Sequence, residues 1–181
     1  MISNNCKGVL EDLKKIIDQV DEGEIDCLKN IMNKSKRLFF AGTGRSQLMI
    51  KAVAMRFMQF GFEVYIVGET NTPSFKQGDL LIAASGSGET KSTILYAENA
   101  QKSGGKTALF TADRNSTLAQ ISDKIIEIPV NKLFSKNDKL LPGGSYFEEA
   151  VLILGDSLIV DIAKEKNIST DQLFERHANL E

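Results

Sequence analysis

Apolar residues recur at helical spacing along the start of the chain. Before residue 21 the apolar positions lie three or four residues apart, at Val9, Leu10, Leu13, Ile16, Ile17 and Val20. The same spacing returns after the turn-prone residues 21–23, at Ile25, Leu28, Ile31 and Met32. The pattern therefore predicts two amphipathic helices over about residues 4–35.

Short apolar runs then alternate with helical patterns. The strand-like runs are residues 37–41, 63–67, 80–84, 106–111 and 124–130, and the helical segments are residues 46–60, 91–102 and, more briefly, 118–122. Continuous apolar strands that alternate with helices are typical of a parallel sheet covered on both faces. We predict an α/β fold, a three-layer α/β/α sandwich with a five-stranded parallel sheet in the flavodoxin-like order 2-1-3-4-5.

The last third of the chain begins with a polar segment. Residues 131–144 end in Pro-Gly-Gly and are predicted to form a long loop, a feature that is often functional. Residues 146–166 predict a helix that is apolar nearly all round in its middle. Because such a helix is buried on more than one side, we expect it at a subunit interface. With C-terminal helices over about residues 145–178, we expect residues 1–181 to form a single domain.

Composition and charge exclude several classes of protein. The 22 basic and 24 acidic residues leave a net charge of −2, and no basic cluster suggests nucleic acid as a partner. No stretch approaches the roughly 20 apolar residues that span a bilayer, and the N-terminus has no leader pattern, so we expect a cytoplasmic protein without a membrane partner. Cys6 and Cys27 are neither paired nor close in sequence to His177, which argues against a metal or redox site.

Two glycine-rich turns carry the candidate chemistry. The arginine turn follows the first strand and contains Gly42, Thr43, Gly44, Arg45 and Ser46. The serine turn follows the third strand and contains Ser85, Gly86, Ser87, Gly88, Glu89 and Thr90. In the predicted strand order the two strands are neighbours, so both turns face one crevice, where ligands of open parallel sheets bind.

The serine turn has the composition of an anion cradle. Glycines bring backbone N–H groups close to a ligand. The partial positive charge at the N-terminus of the following helix stabilises a bound anion by about 0.3–1 kcal/mol. The hydroxyls of Ser85, Ser87 and Thr90 add charge-assisted hydrogen bonds of roughly 1.5–3 kcal/mol each, which outweigh the dipole. The hydroxyls therefore make this turn a stronger candidate than the arginine turn.

Two other interpretations of the turns stay open. Each could be a tight connection in which a serine caps the next helix. A dinucleotide site is disfavoured by spacing, because Gln47 replaces the third glycine of G-x-G-x-x-G and the serine turn does not match G-x-x-x-x-G-K-[ST]. Glu69 nonetheless follows the second strand, where a ribose-binding acid would lie.

These turns, together with the two leading helices, resemble the sugar isomerase (SIS) domain, which binds phosphosugars. Residues 142–148 (PGGSYFE) and 176–181 (RHANLE) make the chain similar to the 6-phospho-3-hexuloisomerases within it. That resemblance implies conversion of D-arabino-hex-3-ulose 6-phosphate to fructose 6-phosphate in the ribulose monophosphate pathway, beside a hexulose-phosphate synthase. It also implies a homotetramer with sites near subunit boundaries and no metal or other cofactor.

The isomerisation needs a base that moves a proton between C2 and C3 through a 2,3-enediol. Either Glu148 or Glu149 could serve from the start of the last helix, and only one can face the ligand because adjacent helical residues point about 100° apart. The resemblance selects Glu148. It also implies that His177, from a neighbouring subunit, assists proton movement between oxygens, although composition alone suggests a surface residue.

The remaining candidates have less defined roles. Arg45 could pair with phosphate or orient sugar hydroxyls, Ser46 could donate to the sugar, and Glu89 could bind a hydroxyl, act as an alternative base or cap its helix. Two other functions also stay open. The protein could isomerise a different ketose or aldose phosphate, or it could be a phosphosugar-sensing SIS domain without catalysis, although no basic helix-turn-helix precedes Lys36.

Overall fold

A computed structural model describes residues 2–134, 140–142, 144–168, 171–172 and 175–180. The strands are β1 (Leu38–Ala41), β2 (Val64–Ile66), β3 (Leu80–Ala84), β4 (Lys106–Thr111) and β5 (Lys124–Glu127). The helices are α1 (Ile2–Ile17), α2 (Glu22–Lys34), α3 (Arg45–Gln59), α4 (Lys91–Lys102), α5 (Thr117–Gln120), α6 (Val130–Leu133) and α7 (Ser145–Glu165). All strand pairs are parallel, in the order β2-β1-β3-β4-β5. The predicted sheet and its order are confirmed.

Both faces of the sheet are buried, which explains why the strands have no polar alternation. Leu38 and Phe40 of β1 lie in a core that also contains the apolar sides of α1, α2, α3 and α7. Phe39 and Ala41, which point the other way, join a second core beneath α4 and α5. The sheet is therefore the middle layer of a three-layer sandwich.

The structure corrects one boundary near the end of the sheet. We predicted a fifth strand through residue 130, but β5 ends at Glu127, and Ile128 makes one further ladder bond, from its N–H to the Thr111 carbonyl (2.8 Å). Pro129 cannot donate a backbone hydrogen bond, so pairing stops there, and α6 begins at Val130 and extends into the predicted loop. Residues 135–139 and 143 of that loop lie outside the described residues, as do residues 169–170 and 173–174 of the predicted C-terminal helical region and Glu181.

The N-terminal helices hold the long helix α7 in place. The buried Tyr146 hydroxyl at the start of α7 donates to Asp12 of α1 at 2.8 Å, and burial raises the pKa of Tyr146 to about 12. Lys29 of α2 forms ion pairs with Asp161 and Glu165 near the other end of α7. Both ends of the helix are thus fixed to the helices that open the chain. Within the described residues, none of the helices is long and apolar enough to cross a membrane.

Helix α7 also packs closely against α3. Gly155 lies at their crossing, where a Cβ atom would overlap both methyl groups of the buried Val53. We expect Gly155→Val to lower the free energy of unfolding by about 1–3 kcal/mol, because a β-branched residue cannot move its methyl groups out of this contact. Chemical denaturation measures the change. Glu11→Val, on the exposed side of α1, is the control for the helix propensity of valine; an equal loss in both variants would contradict the packing argument.

Candidate active site

The arginine turn connects β1 to α3 at the carboxyl edge of the sheet. At Gly42, a Cβ atom would meet the backbone of Ser46 and Gln47 at 3.0–3.2 Å, so the turn can close this tightly only with glycine. Gly44 precedes α3 with φ of +61°, a left-handed conformation that glycine adopts without strain. The turn places the exposed Arg45 at the first position of α3 and the half-buried Ser46 at the second.

The serine turn connects β3 to α4 beside it. The hydroxyls of Ser85 and Thr90 lie 3.1 Å apart, and the Gly88 N–H donates to the Ser85 hydroxyl at 3.2 Å. The Ser87 hydroxyl accepts from the Glu89 N–H at 3.2 Å. Ser85 is buried and Ser87 is exposed, so the hydroxyls line the turn from its base to its rim.

The arginine turn contacts the first turn of α4, and the start of α7 contacts the serine turn. The Thr43 hydroxyl lies 3.1 Å from that of Ser92 in the first turn of α4. Phe147 of α7 packs against Gly86, where a Cβ atom would lie 3.2 Å from its ring. The β1–α3 connection, the β3–α4 connection and the start of α7, which are distant in sequence, therefore lie together at the carboxyl edge of the sheet.

Three helices begin at this crevice without a side-chain cap. Among the described residues, no side chain accepts from the first N–H groups of α3, α4 or α7, which follow Gly44, Thr90 and Gly144. By contrast, Asp21 caps α2 and Ser116 caps α5. Uncapped N-termini present unpaired N–H donors and the positive end of the helix dipole, so their convergence favours an anionic ligand.

Arg45 joins the arginine turn to both candidate carboxylates. Its Nε lies 2.9 Å from Glu148 Oε2, and its guanidinium also pairs with Glu149. Glu148 is the more buried carboxylate, with 14% of its side chain exposed against 32% for Glu149. Burial raises the pKa of Glu148 above its ordinary value of 4.5, the charge of Glu149 adds to this, and Arg45 opposes it. A raised pKa suits a carboxylate that accepts a proton during turnover.

Two of the predicted site residues are not directed into the crevice of this chain. Both carboxylate oxygens of Glu89 accept hydrogen bonds from Thr117, the first residue of α5. His177 follows Arg176, which packs against Gly61 at the amino edge, beyond the far end of α3. Since α3 has 15 residues and rises about 1.5 Å per residue, His177 lies on the order of 20 Å from the crevice of its own chain.

Sequence analysis missed several residues that shape the crevice. Phe147, Thr43 and Ser92 carry its contacts, and Thr117 holds Glu89. Thr43 and Phe147 lay inside motifs that we had singled out, but neither had been given a role. The other residues become recognisable only when α7 and α5 are placed beside the serine turn, which no local pattern specifies.

A parallel sheet whose glycine and serine turns meet at a strand-order switch defines a ligand-binding α/β domain. The SIS domain family model matches residues 31–136. This chain belongs to the SIS domain family.

Several relatives are similar to this chain over nearly its whole length. A 3-hexulose-6-phosphate isomerase of Bacillus subtilis is 38% identical over 176 residues, 96% of this chain and 95% of the relative. The enzyme of that name from Mycobacterium gastri is 34% identical over 182 residues, 99% of this chain and 92% of the relative. A crystal structure of a Methanococcus jannaschii protein, described as inferring that same function, superposes with a TM-score of 0.83 at 36% identity, covering 100% of this chain and 97% of that one.

Arg45→Gln tests the electrostatics of the crevice. Removing the cation leaves burial and Glu149 unopposed, so we expect the pKa of Glu148 to rise further. Carboxyl-carbon NMR titration of Glu148 measures the shift directly. Lys51→Gln is a matched control, because this α3 cation pairs with Glu69 instead (2.5 Å). A pKa that falls or stays unchanged in Arg45→Gln would show that Arg45 does not stabilise the ionised carboxylate.

Proposed function

We propose that this protein interconverts D-arabino-hex-3-ulose 6-phosphate and D-fructose 6-phosphate as a ketose-phosphate isomerase. The observation that carries the proposal is the contact between Gly86 and Phe147, which brings the start of α7 and Glu148 next to the serine turn. The full-length relatives that bear the name 3-hexulose-6-phosphate isomerase support the choice of substrate.

The serine turn would bind the phosphate. In this arrangement the unpaired N–H groups at the start of α4 and the hydroxyls of Ser85, Ser87 and Thr90 donate to the phosphate oxygens. The Gly88 N–H already donates to Ser85 within the turn, so we assign the phosphate to the hydroxyls and to the start of α4. The carbon chain of the substrate then extends along the crevice towards α7.

Glu148 would act as the base. Its carboxylate removes the proton from C2, which leaves a 2,3-enediol, and it returns a proton to C3. The proton on O2 is lost while O3 gains one, so the carbonyl moves from C3 to C2 and the overall composition is unchanged. Arg45 and Ser46, at the start of α3, are placed to orient sugar hydroxyls, and an anionic substrate would compete with Glu148 for Arg45.

The assembly we propose is a homotetramer in which His177 of one subunit serves the crevice of another and moves the hydroxyl proton. The distance between His177 and the crevice of its own chain supports an exchange between subunits. Exposed apolar side chains on α3 and α7 support an extensive interface: Leu48 (62% exposed), Met55 (47%), Ile153 (37%) and Val160 (49%). We place this activity in the cytoplasm beside a hexulose-phosphate synthase, with the whole chain acting as one SIS domain.

Glu148→Gln tests the base. We expect turnover to fall roughly 100-fold or more, because the amide cannot accept the C2 proton, while the affinity for fructose 6-phosphate changes little. The measurement is fructose 6-phosphate formation from D-arabino-hex-3-ulose 6-phosphate, run beside arabinose 5-phosphate and sedoheptulose 7-phosphate as competing substrates. Glu11→Gln, on the exposed side of α1, is the control. Unchanged turnover in Glu148→Gln would exclude it as the base, and preference for another substrate would overturn the assignment.

Mixing a Glu148 variant with a His177 variant tests the exchange between subunits. Glu148→Gln and His177→Asn are denatured together and refolded, so that mixed oligomers form. If the two residues act in different subunits, some mixed sites contain both native side chains, and we expect activity well above that of either variant alone. Activity no higher than the average of the two parents would place both residues in the same chain or give His177 no catalytic role.

A further inference from the structure

The carboxylate of Glu89 is fully engaged outside the crevice. One of its oxygens accepts from the Thr117 N–H at 2.7 Å, and the other accepts from the Thr117 hydroxyl at 2.8 Å. These hydrogen bonds lower the pKa of Glu89 below its ordinary value, so the group is ionised at neutral pH. The carboxylate of Glu89 therefore accepts the hydrogen bonds of the first residue of α5, although Glu89 belongs to the serine turn.

The same segment of chain holds the serine turn at other points. The Gly88 carbonyl accepts from the Leu118 N–H at 3.0 Å, and the Gly86 carbonyl accepts from the Ala112 N–H at 3.0 Å. Gly88 has φ of +64°, and a Cβ atom there would collide with the Ser116 side chain. The outer side of the turn is thus bonded to the chain between β4 and α5, and its inner side is left to the crevice.

Electrostatics also favour this orientation of Glu89. A carboxylate directed into the crevice would lie among the groups that would bind a phosphate dianion, and the two negative charges would repel each other. Directed towards α5, the same charge lies at a helix N-terminus and accepts two hydrogen bonds. Anion binding and helix capping therefore require the same orientation.

We propose that Glu89 is a positioning residue, which with Thr117 holds the serine turn against α5 in the conformation that binds the substrate phosphate, and that it does not touch the substrate. The inference rests on the proposed function, in which this turn binds phosphate. It replaces the direct contact between Glu89 and sugar that the sequence suggested.

Glutamine separates positioning from direct chemistry. In Glu89→Gln, the amide oxygen can still accept from the Thr117 N–H, and the amide NH₂ can donate to the Thr117 hydroxyl, so both bonds persist without the charge. Glu89→Ala removes both bonds, and Thr117→Val removes only the hydroxyl. Glu98→Ala, further along α4, is the control for losing a carboxylate near the turn.

The measurements are the Kd of inorganic phosphate by calorimetry and the KM and kcat of isomerisation. If the serine turn, once released from Thr117, adopts its binding conformation in about a tenth of the Glu89→Ala molecules, phosphate binding by this variant is about tenfold weaker. We expect Glu89→Gln to stay within about twofold of the native protein, and Thr117→Val to weaken binding in the native background but add nothing to Glu89→Ala. These losses should appear in Kd and KM more than in kcat.

A different pattern would overturn the inference. If Glu89 binds the sugar or acts as a base, Glu89→Gln loses as much activity as Glu89→Ala, Thr117→Val resembles the native protein, and the two substitutions act additively. Phosphate affinity equal in all variants would also exclude a positioning role. A native protein that binds phosphate but does not isomerise the hexulose would contradict the proposed function alone, because the Kd comparison would remain valid.

Discussion

The pairing of β1 with β3 is the constraint on which the crevice depends. Their parallel register places Ala41 beside Ala83, so the turns that follow these strands leave the sheet next to each other. The pairing requires a crossover of the chain through β2, and it creates the point where strand order reverses. Without this register, Thr43 and Ser92 could not meet, and the helices α3 and α4 would not begin at a common point.

Local stability and ligand binding make opposite demands on this edge. A side-chain cap at the start of α4 would contribute about 1 kcal/mol, as Asp21 and Ser116 do for other helices. Thr90 occupies the cap position but directs its hydroxyl to Ser85 instead. The N–H groups of α4 thus remain available to a ligand, and stability is supplied from outside the crevice, by the bonds that Ala112, Thr117 and Leu118 make to the serine turn.

Much of the fold could be predicted from the sequence because its signals are local. The continuous apolar strands and the stripes of α1 to α4 depend on neighbouring residues, and they predicted the elements and most of their boundaries. The strand order is not a local signal, and it was expected from the fold class instead. The turns were recognisable because glycine and serine have few other reasons to interleave. The directions of side chains could not be predicted. Glu89 and Thr117 are 28 residues apart, and no residue between them indicates that they form hydrogen bonds. The end of β5 was misjudged because Ile128 and Val130 continue the apolar pattern beyond Glu127, the last residue of the strand.

The choice between Glu148 and Glu149 shows how tertiary structure resolves an ambiguity that helical geometry leaves. Both carboxylates reach Arg45, so proximity to the cation does not distinguish them. The packing of the start of α7 does: with Phe147 against Gly86 and Tyr146 bonded to Asp12, Glu148 is the more enclosed of the two. Enclosure weakens the solvation of the Glu148 carboxylate and raises its pKa, while Glu149 pairs with Arg45 from a more exposed position. Adjacent acids at the start of one helix can therefore differ in burial, and the packing of the helix decides which of them is the more enclosed.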